Sequence, residues 1–364
     1  MKAAVLREYK TPLKIEEVDL AAPLAGEVRI KVEATGVCHS DLLCRDGGFP
    51  VYQLPLIPGH EAAGTIVEVG EGVTKVKPGD HVIALWHPYC GTCWHCTHGE
   101  PFSCPGVSKR YGVKTDGTSR LSVGGEQLFH GMDAATFAEE AVLDENAVVK
   151  IDDDVPFEIA ALIGCGVSTG VGAALNTADL KPGGRVAVIG CGGVGLSIVQ
   201  GARIAGAEEI VAIDLNEAKL DAATKFGATS TIDANDLDPV GEVMRITEGV
   251  GVDHAFEAIG SHATQKQALR MIRKGGAVVL VGVVGLFDPL PVPTGLLTLM
   301  GQSIIGCFFG SVVPERDFPR FIEFWRKGKL DLEGLISDIG RLEDVNDAFD
   351  AMERGDVLRS VLKP

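Results

Sequence analysis

This chain of 364 residues predicts a two-domain α/β protein, a β-rich first domain followed by a doubly wound parallel sheet. Three observations carry that expectation. The length exceeds what one hydrophobic core usually serves. Up to about residue 150, short Val/Ile/Ala-rich runs are broken by Gly and Pro, the texture of short antiparallel strands or a small barrel. From about Pro156, apolar strands alternate with helical stretches, which implies a parallel sheet.

Taken in order, EVRIKVEATGV, GTIVEVGEGV and GDHVIALW read as strands of the first domain. The second domain runs through the strand RVAVIG, the helix GVGLSIVQGARIAG, the strand EIVAIDL and the helix NEAKLDAATKFG. It continues with the strand VDHAFEAIG, a helix around ATQKQALRMIRKGG and the strand AVVLVGVV. Near Gly306 the alternation stops. Two amphipathic stretches, FPRFIEFWRKGK and LEDVNDAFDAMERG, and a last strand, VLRSVLK, are expected to return to the first domain. The domains are expected at 1–166 with 309–364, the first holding a four-cysteine lobe at about 86–110, and at 167–308.

A formal net charge of −17 argues against nucleic acid or an anionic membrane as partner, because their phosphates would repel this surface. The opening MKAAVLREYKTPLKI lacks the apolar core of a signal peptide. The longest apolar run, Gly275 to Phe287, is too short for a bilayer and reads as a buried strand. A cytoplasmic protein is expected.

Cys90, Cys93, Cys96 and Cys104 stand in the spacing C-x2-C-x2-C-x7-C. Two-residue gaps let neighbouring sulfurs converge about one tetrahedral zinc, and four thiolates leave no open position, so this site is structural. A disulfide cluster or a chance grouping of thiols is the competing reading, and a reducing compartment disfavours the disulfides.

The strand RVAVI leads into Gly190, Cys191, Gly192, Gly193, Val194 and Gly195 and then a helix, the context a dinucleotide fingerprint requires. Gly190 permits the tight turn, Gly192 the approach of a pyrophosphate, and Gly195 the contact of helix with strand. Asp214 ends the next strand, 24 residues after Gly190, where its carboxylate can accept both ribose hydroxyls and would repel a 2′-phosphate. NAD is therefore expected over NADP. The competing reading is a structural glycine turn with a surface aspartate.

Cys38-His39-Ser40-Asp41, Gly59-His60-Glu61 and Cys165 each admit a bland reading alone, as a buried thiol, a satisfied core histidine and a residue of a Gly-rich turn. Together, GVCHSD, PGHE, the four-cysteine segment, GCGVSTG, GCGGVG and VAIDLN, in that order, resemble the zinc-dependent alcohol dehydrogenases of the medium-chain dehydrogenase family. The similarity covers essentially the whole chain and is greatest to the class I and class III-like branch. It implies a GroES-like catalytic domain and a Rossmann cofactor domain.

The resemblance implies that Cys38, His60 and Cys165 hold a catalytic zinc whose fourth position receives the alcohol. It gives Asp41 the role of orienting the His60 ring and puts Glu61 behind the metal, where a buried ion-pair partner is the alternative. Ser40 would accept the substrate proton. Many relatives complete a relay with a histidine where this chain has Leu43, so the proton leaves through the ribose or through His39. His39 has a second candidate role at the pyrophosphate. The same resemblance puts Val194, Thr169, Val281 and Val283 about the nicotinamide, Lys219 at the adenosine ribose and Arg359 at the pyrophosphate. Trp86 would line the substrate pocket and narrow it toward primary alcohols, with a core tryptophan as the alternative.

The expected activity is reversible hydride transfer between a primary alcohol, aliphatic, allylic or aryl, and NAD+, with two zinc ions per chain. One alternative is a thiol-adduct dehydrogenase acting on an S-hydroxymethyl thiol. Such relatives carry an arginine where this chain has Ser108, followed by Lys109 and Arg110. A nicotinoprotein that retains NAD, and an inactive NAD-binding structural homologue, complete the alternatives. The apolar stretch Val292 to Phe309 and the long insertion at 105–136 lead to a homodimer as the expected assembly, and closure on NAD binding is implied by analogy.

Overall fold

The computed structural model describes residues 1–106, 111–285 and 287–364, and divides them into two compact units. The first comprises Met1–Gly166, Val313–Glu323 and Leu332–Pro364; the second comprises Val167–Val312 and Phe324–Asp331. Ser108, Lys109 and Arg110 lie outside the described residues.

The first unit is built on a seven-stranded sheet whose centre is the long strand Glu27–Val37. Its antiparallel neighbours are Glu61–Val69 on one side and Arg359–Lys363 with Glu140–Asp144 on the other. Alternation of Val28, Ile30, Val32 and Ala34, all buried, points one face of the central strand into the core. The helix Phe157–Ile163 lies across the Glu27–Val37 and Glu61–Val69 strands and buries Ile159 through Ile163. Within the 105–136 insertion, Leu121–Val123 and Glu126–His130 form a hairpin around Gly124 and Gly125, both at positive φ as a two-residue primed turn requires. The strand expected around Phe137 begins three residues later, at Glu140–Asp144. Phe137 is instead held by single backbone bonds to Pro58 and Ala4.

The second unit holds a six-stranded, wholly parallel sheet. Its spatial order is Ser230–Asp233, Glu209–Asp214, Arg185–Ile189, Val252–Glu257, Ile272–Leu280 and Ser303–Gly306. The order reverses between Arg185–Ile189 and Val252–Glu257, the doubly wound pattern with its ligand crevice at the switch point. The helix Gly193–Ala205 ends on Gly206 in the left-handed conformation, and Glu217–Phe226 is capped by the Asn216 side chain and ends on left-handed Gly227. The helix expected to run through Lys274 stops at Met271, because the parallel ladder claims the chain from Ile272.

The second crossing between units lies at Val312 to Val313, four residues beyond the expected boundary, and Phe324–Asp331 belongs to the second unit. Hydrogen bonds explain the latter. Gln200 donates to the Asp331 carbonyl and accepts from its N–H, and Arg203 donates to the Lys329 carbonyl. No single helix among the described residues is long and apolar enough to cross a membrane.

Candidate active site and metal centres

Cys38 follows the last residue of the Glu27–Val37 strand, and His60 precedes the first residue of Glu61–Val69. Gly36 is registered opposite Glu61, so pairing of these two strands brings Cys38 and His60 to one end of the sheet. Cys165 arrives just beyond the helix that lies on the same strands. The ligand atoms of Cys38, His60 and Cys165 all lie within 4.8 Å of one another, and all three residues are buried.

Asp41 organises this group. It is fully buried; Oδ1 receives the His60 ring Nδ1 at 2.9 Å and the Gly59 N–H at 3.0 Å, and Oδ2 accepts the Cys38 N–H at 3.3 Å. One carboxylate thus starts the helix His39–Arg45 and turns the imidazole so that Nε2 faces the thiols. Among the described residues, nothing hydrogen-bonds to His60 Nε2. A bare buried ring nitrogen beside two buried thiols is the donor set of an open zinc site, and the group fits.

Electrostatics agree. Hydrogen bonding with Cys165 holds the Cys38 thiol well below its ordinary value against the effect of burial, helped by His60 and Arg359. Burial alone would lower His60, yet the charge and hydrogen bond of Asp41, with Cys38, push it up to about 10. The pocket favours positive charge, which a divalent ion held by Cys38, His60 and Cys165 would supply while the ring stayed neutral.

Below this group, Glu61 is fully buried and its Oε1 accepts the Gly166 N–H at 2.7 Å. Its Oε2 is paired with Arg359, which is 6% exposed. Ser360 is registered opposite Val37, and this pairing delivers Arg359 beside Cys38. The sequence reading assigned Arg359 to a pyrophosphate; the structure places its guanidinium against Glu61. Gly36 is part of the same arrangement, since a Cβ there would stand 2.4 Å from Glu61 Oε2. Sequence reasoning passed over Gly36, although a glycine inside a strand signals such an approach.

Ser40 Oγ lies 3.7 Å from Cys38 Sγ, and His39 is exposed at the helix start. The Trp86 ring stands edge-on to His60, centroids 6.3 Å apart at 85°, and packs against the first unit's core. Leu43 is half-buried and lies against Gly48.

The four-cysteine segment closes separately. Sγ separations are 3.6 Å for Cys93–Cys96, 3.8 Å for Cys93–Cys104 and 3.7 Å for Cys104–Cys90. A tetrahedron with zinc–sulfur arms of ~2.3 Å has edges of about 3.8 Å, so the thiols already stand where the ion requires them. Backbone N–H groups of Cys90 and Cys93 point at Cys104 and Cys90 sulfurs, as they do toward thiolates. None of the nine cysteines is in a disulfide.

In the second unit, Gly190 has φ +93°, and a Cβ on Gly195 would stand 1.7 Å from the Gly190 carbonyl oxygen. A Cβ on Gly192 would meet nothing within 4 Å, so the approach to the N-terminus of the Gly193–Ala205 helix is clear for a diphosphate. Gly193 begins that helix and Val194, half-buried, follows; Gly170, next to Thr169, approaches the Val194 carbonyl so closely that a Cβ would stand 2.4 Å from it. The Asp214 carboxylate accepts the Cys191 N–H at 2.7 Å and the N–H groups of Leu215 and Asn216. It is thereby fixed at the carboxyl end of its strand, with Lys219 half-buried in the next helix. Val281 donates its N–H to the Glu257 carbonyl, and Val283 is 56% exposed.

Comparison with known proteins identifies the class. The family model for the alcohol dehydrogenase GroES-like domain matches residues 24–153, and that for zinc-binding dehydrogenase matches residues 193–327. Proteins from Escherichia coli and Shigella sonnei named S-(hydroxymethyl)glutathione dehydrogenase are 43% identical over 367 residues, covering 100% of this chain and 99% of theirs. Benzyl alcohol dehydrogenase from Acinetobacter calcoaceticus superposes with a TM-score of 0.94 at 32% identity, covering 100% of this chain and 98% of that one. An alcohol dehydrogenase zinc-binding domain protein from Burkholderia ambifaria gives 0.94 at 34% identity, with the same coverage. The chain belongs to the zinc-dependent alcohol dehydrogenase family of medium-chain dehydrogenases. It is an oxidoreductase whose cofactors are zinc and NAD.

Proposed function

We propose that this enzyme transfers hydride reversibly between a primary alcohol and NAD+, with Cys38, His60 and Cys165 as the ligands of its catalytic zinc. The observation that carries the reading is the number of ligands: three buried donors converge here, where the separate cysteine segment has four. When bound, zinc acidifies an alcohol at its open position and NAD+ accepts the hydride. Asp41 holds His60 in the tautomer that offers Nε2. Ser40 receives the alcohol proton and passes it toward the ribose, since Leu43 cannot; Trp86 narrows the pocket against branched alcohols. Val194 and Thr169 bound the nicotinamide, with Val281 and Val283 beyond it. Asp214 and Lys219 hold the adenosine ribose, and Glu61 with Arg359 tunes the metal from behind.

Zinc and nucleotide analysis followed by a rate screen over aliphatic, allylic and benzylic primary alcohols tests this. Two zinc ions per chain and turnover on added NAD+ are expected; one zinc and no turnover would sink it. A second reading, oxidation of an S-hydroxymethyl thiol, has the 43% identical relatives in its favour and Ser108, in place of the arginine, against it. A kcat/KM for S-(hydroxymethyl)glutathione above that for every simple primary alcohol would establish it.

We further infer a homodimer. Phe287, Leu296, Leu299 and Phe308 are exposed, and the strand Ser303–Gly306 ends its sheet, an apolar edge suited to a second copy. Nine cysteines with no disulfide among them suit a cytoplasmic location.

A further inference from the structure

Glu257 is the last residue of the Val252–Glu257 strand and is fully buried. Its Oε1 accepts three hydrogen bonds: from the Ile259 N–H at 3.0 Å, the Gly260 N–H at 2.9 Å and the Thr264 hydroxyl at 2.8 Å. Oε2 is equally buried and has no partner among the described residues. A buried polar oxygen without a partner costs stability, so its retention calls for an explanation.

The location is the switch point of the parallel sheet. Glu257 is registered beside Ile189, which precedes Gly190. The turn it clamps presses on Gly190, where a Cβ would stand 2.6 Å from Ile259. On its other side lies the 281–283 turn: a Cβ on Gly282 would be 2.1 Å from the Gly260 nitrogen, and one on Gly260 would be 2.4 Å from the Val283 carbonyl oxygen. The Glu257 carbonyl also accepts the N–H groups of Val281 and Gly282. Three turns at the carboxyl ends of three adjacent strands are thus packed together, the 258–260 turn backbone on backbone against the 281–283 turn and through the Ile259 side chain against Gly190, and Glu257 bonds directly to two of them. In a doubly wound sheet a dinucleotide lies across such a crevice, one nucleotide to each half. Asp214 belongs to the half before the switch, so the nicotinamide nucleotide falls on the half that Glu257 braces.

We propose that Glu257 is a positioning residue for the nicotinamide half of NAD, holding the 258–260 and 281–283 turns at the spacing that half requires. The proposal rests on the cofactor reading above, and binding measurements on the intact enzyme separate the two. Affinity for AMP, read by calorimetry, reports the adenosine half; affinity and emission spectrum of NADH, read by fluorescence, report both. Glu257→Ala is expected to weaken NADH about tenfold or more and to shift the emission of what remains bound, with AMP affinity unchanged within about twofold. Glu257→Gln, which keeps the accepting oxygen, is expected to restore most of the affinity. Should the alanine variant fail to fold, Thr264→Val removes one of the three donors and is expected to raise the Kd for NADH about threefold with AMP unchanged. Equal loss of AMP and NADH, or an unaltered NADH affinity in either variant, overturns the proposal. Wild-type protein that binds AMP but no NADH would instead overturn the cofactor reading.

Discussion

The two metal centres of the first unit are made from similar ligands and differ in nearly everything around them. Cys90, Cys93 and Cys96 are half-buried within a seven-residue stretch, and Cys104 follows after a short loop. Local chain geometry alone nearly fixes their sulfurs at tetrahedral spacing. Cys38, His60 and Cys165 are buried and come from distant parts of the chain, positioned by one strand pairing and a helix. Around them stand a fully buried aspartate, a fully buried glutamate and a buried arginine. A closed site needs only its ligands. A reactive site needs ligands that stay oriented when one position is exchanged, and that demand recruits the second layer.

Removing a ligand from the buried centre tests the contrast most severely. His60→Ala is expected to lower kcat/KM by about 10³-fold or more, because the Lewis acid is worth several kcal/mol and each ~1.4 kcal/mol is tenfold. Zinc content should fall from two to one per chain while circular dichroism stays native. Activity retained within about tenfold would place the reacting metal elsewhere.

Asp41→Asn keeps the shape and removes the charge that fixes the ring. A loss of about 10–100-fold in zinc affinity or turnover is expected, the usual cost of an outer partner. Competition with a chromophoric chelator measures it, and an unaltered zinc affinity would show that His60 is oriented by packing instead.

Gly36→Ala reaches the same centre through Glu61 without touching a ligand. The added Cβ must displace Glu61 Oε2 from 2.4 Å, in a region already closed by Arg359 and the Gly166 N–H. An overpacking cost of about 1–3 kcal/mol in urea unfolding is expected, with a smaller drop in turnover than Asp41→Asn gives. Wild-type stability would mean the glutamate can swing aside, and the buried pair would then be no constraint on the metal.

How much of this was legible beforehand follows the same division. The cysteine segment could be read from spacing alone, and the glycine turn with Asp214 from its place between strand and helix, because both are local. Cys38, His60 and Cys165 became readable as a set only through resemblance, since no short-range pattern joins residues brought together by sheet register. The pairing of Glu61 with Arg359 was missed as a pairing: one partner was read as a residue behind the metal with a buried ion pair as the alternative, the other as a pyrophosphate ligand, and only antiparallel registration to one strand joins them. Glu257 gave no signal at all, because a glutamate ending a strand looks like a surface residue until its three donors are seen. The same holds for Phe324–Asp331, whose attachment to the second unit depends on hydrogen bonds from Gln200 and Arg203.

The smallest effect on turnover is expected at the other centre. Cys96→Ser leaves three thiolates and should release the structural zinc, opening a segment in which Trp94 stacks on His98 at 4.2 Å and is otherwise 63% exposed. The segment's own hydrophobic burial is slight, so the metal contributes most of what orders it. Thermal unfolding should therefore shift down and the Trp94 emission change. Turnover of the molecules still folded at 25 °C should remain within about threefold, since no ligand of the buried centre lies in the segment. A loss of turnover comparable to that of His60→Ala, at a temperature where circular dichroism is native, would mean that the four-cysteine centre is coupled to the reaction and that closure of a metal site does not by itself separate it from chemistry.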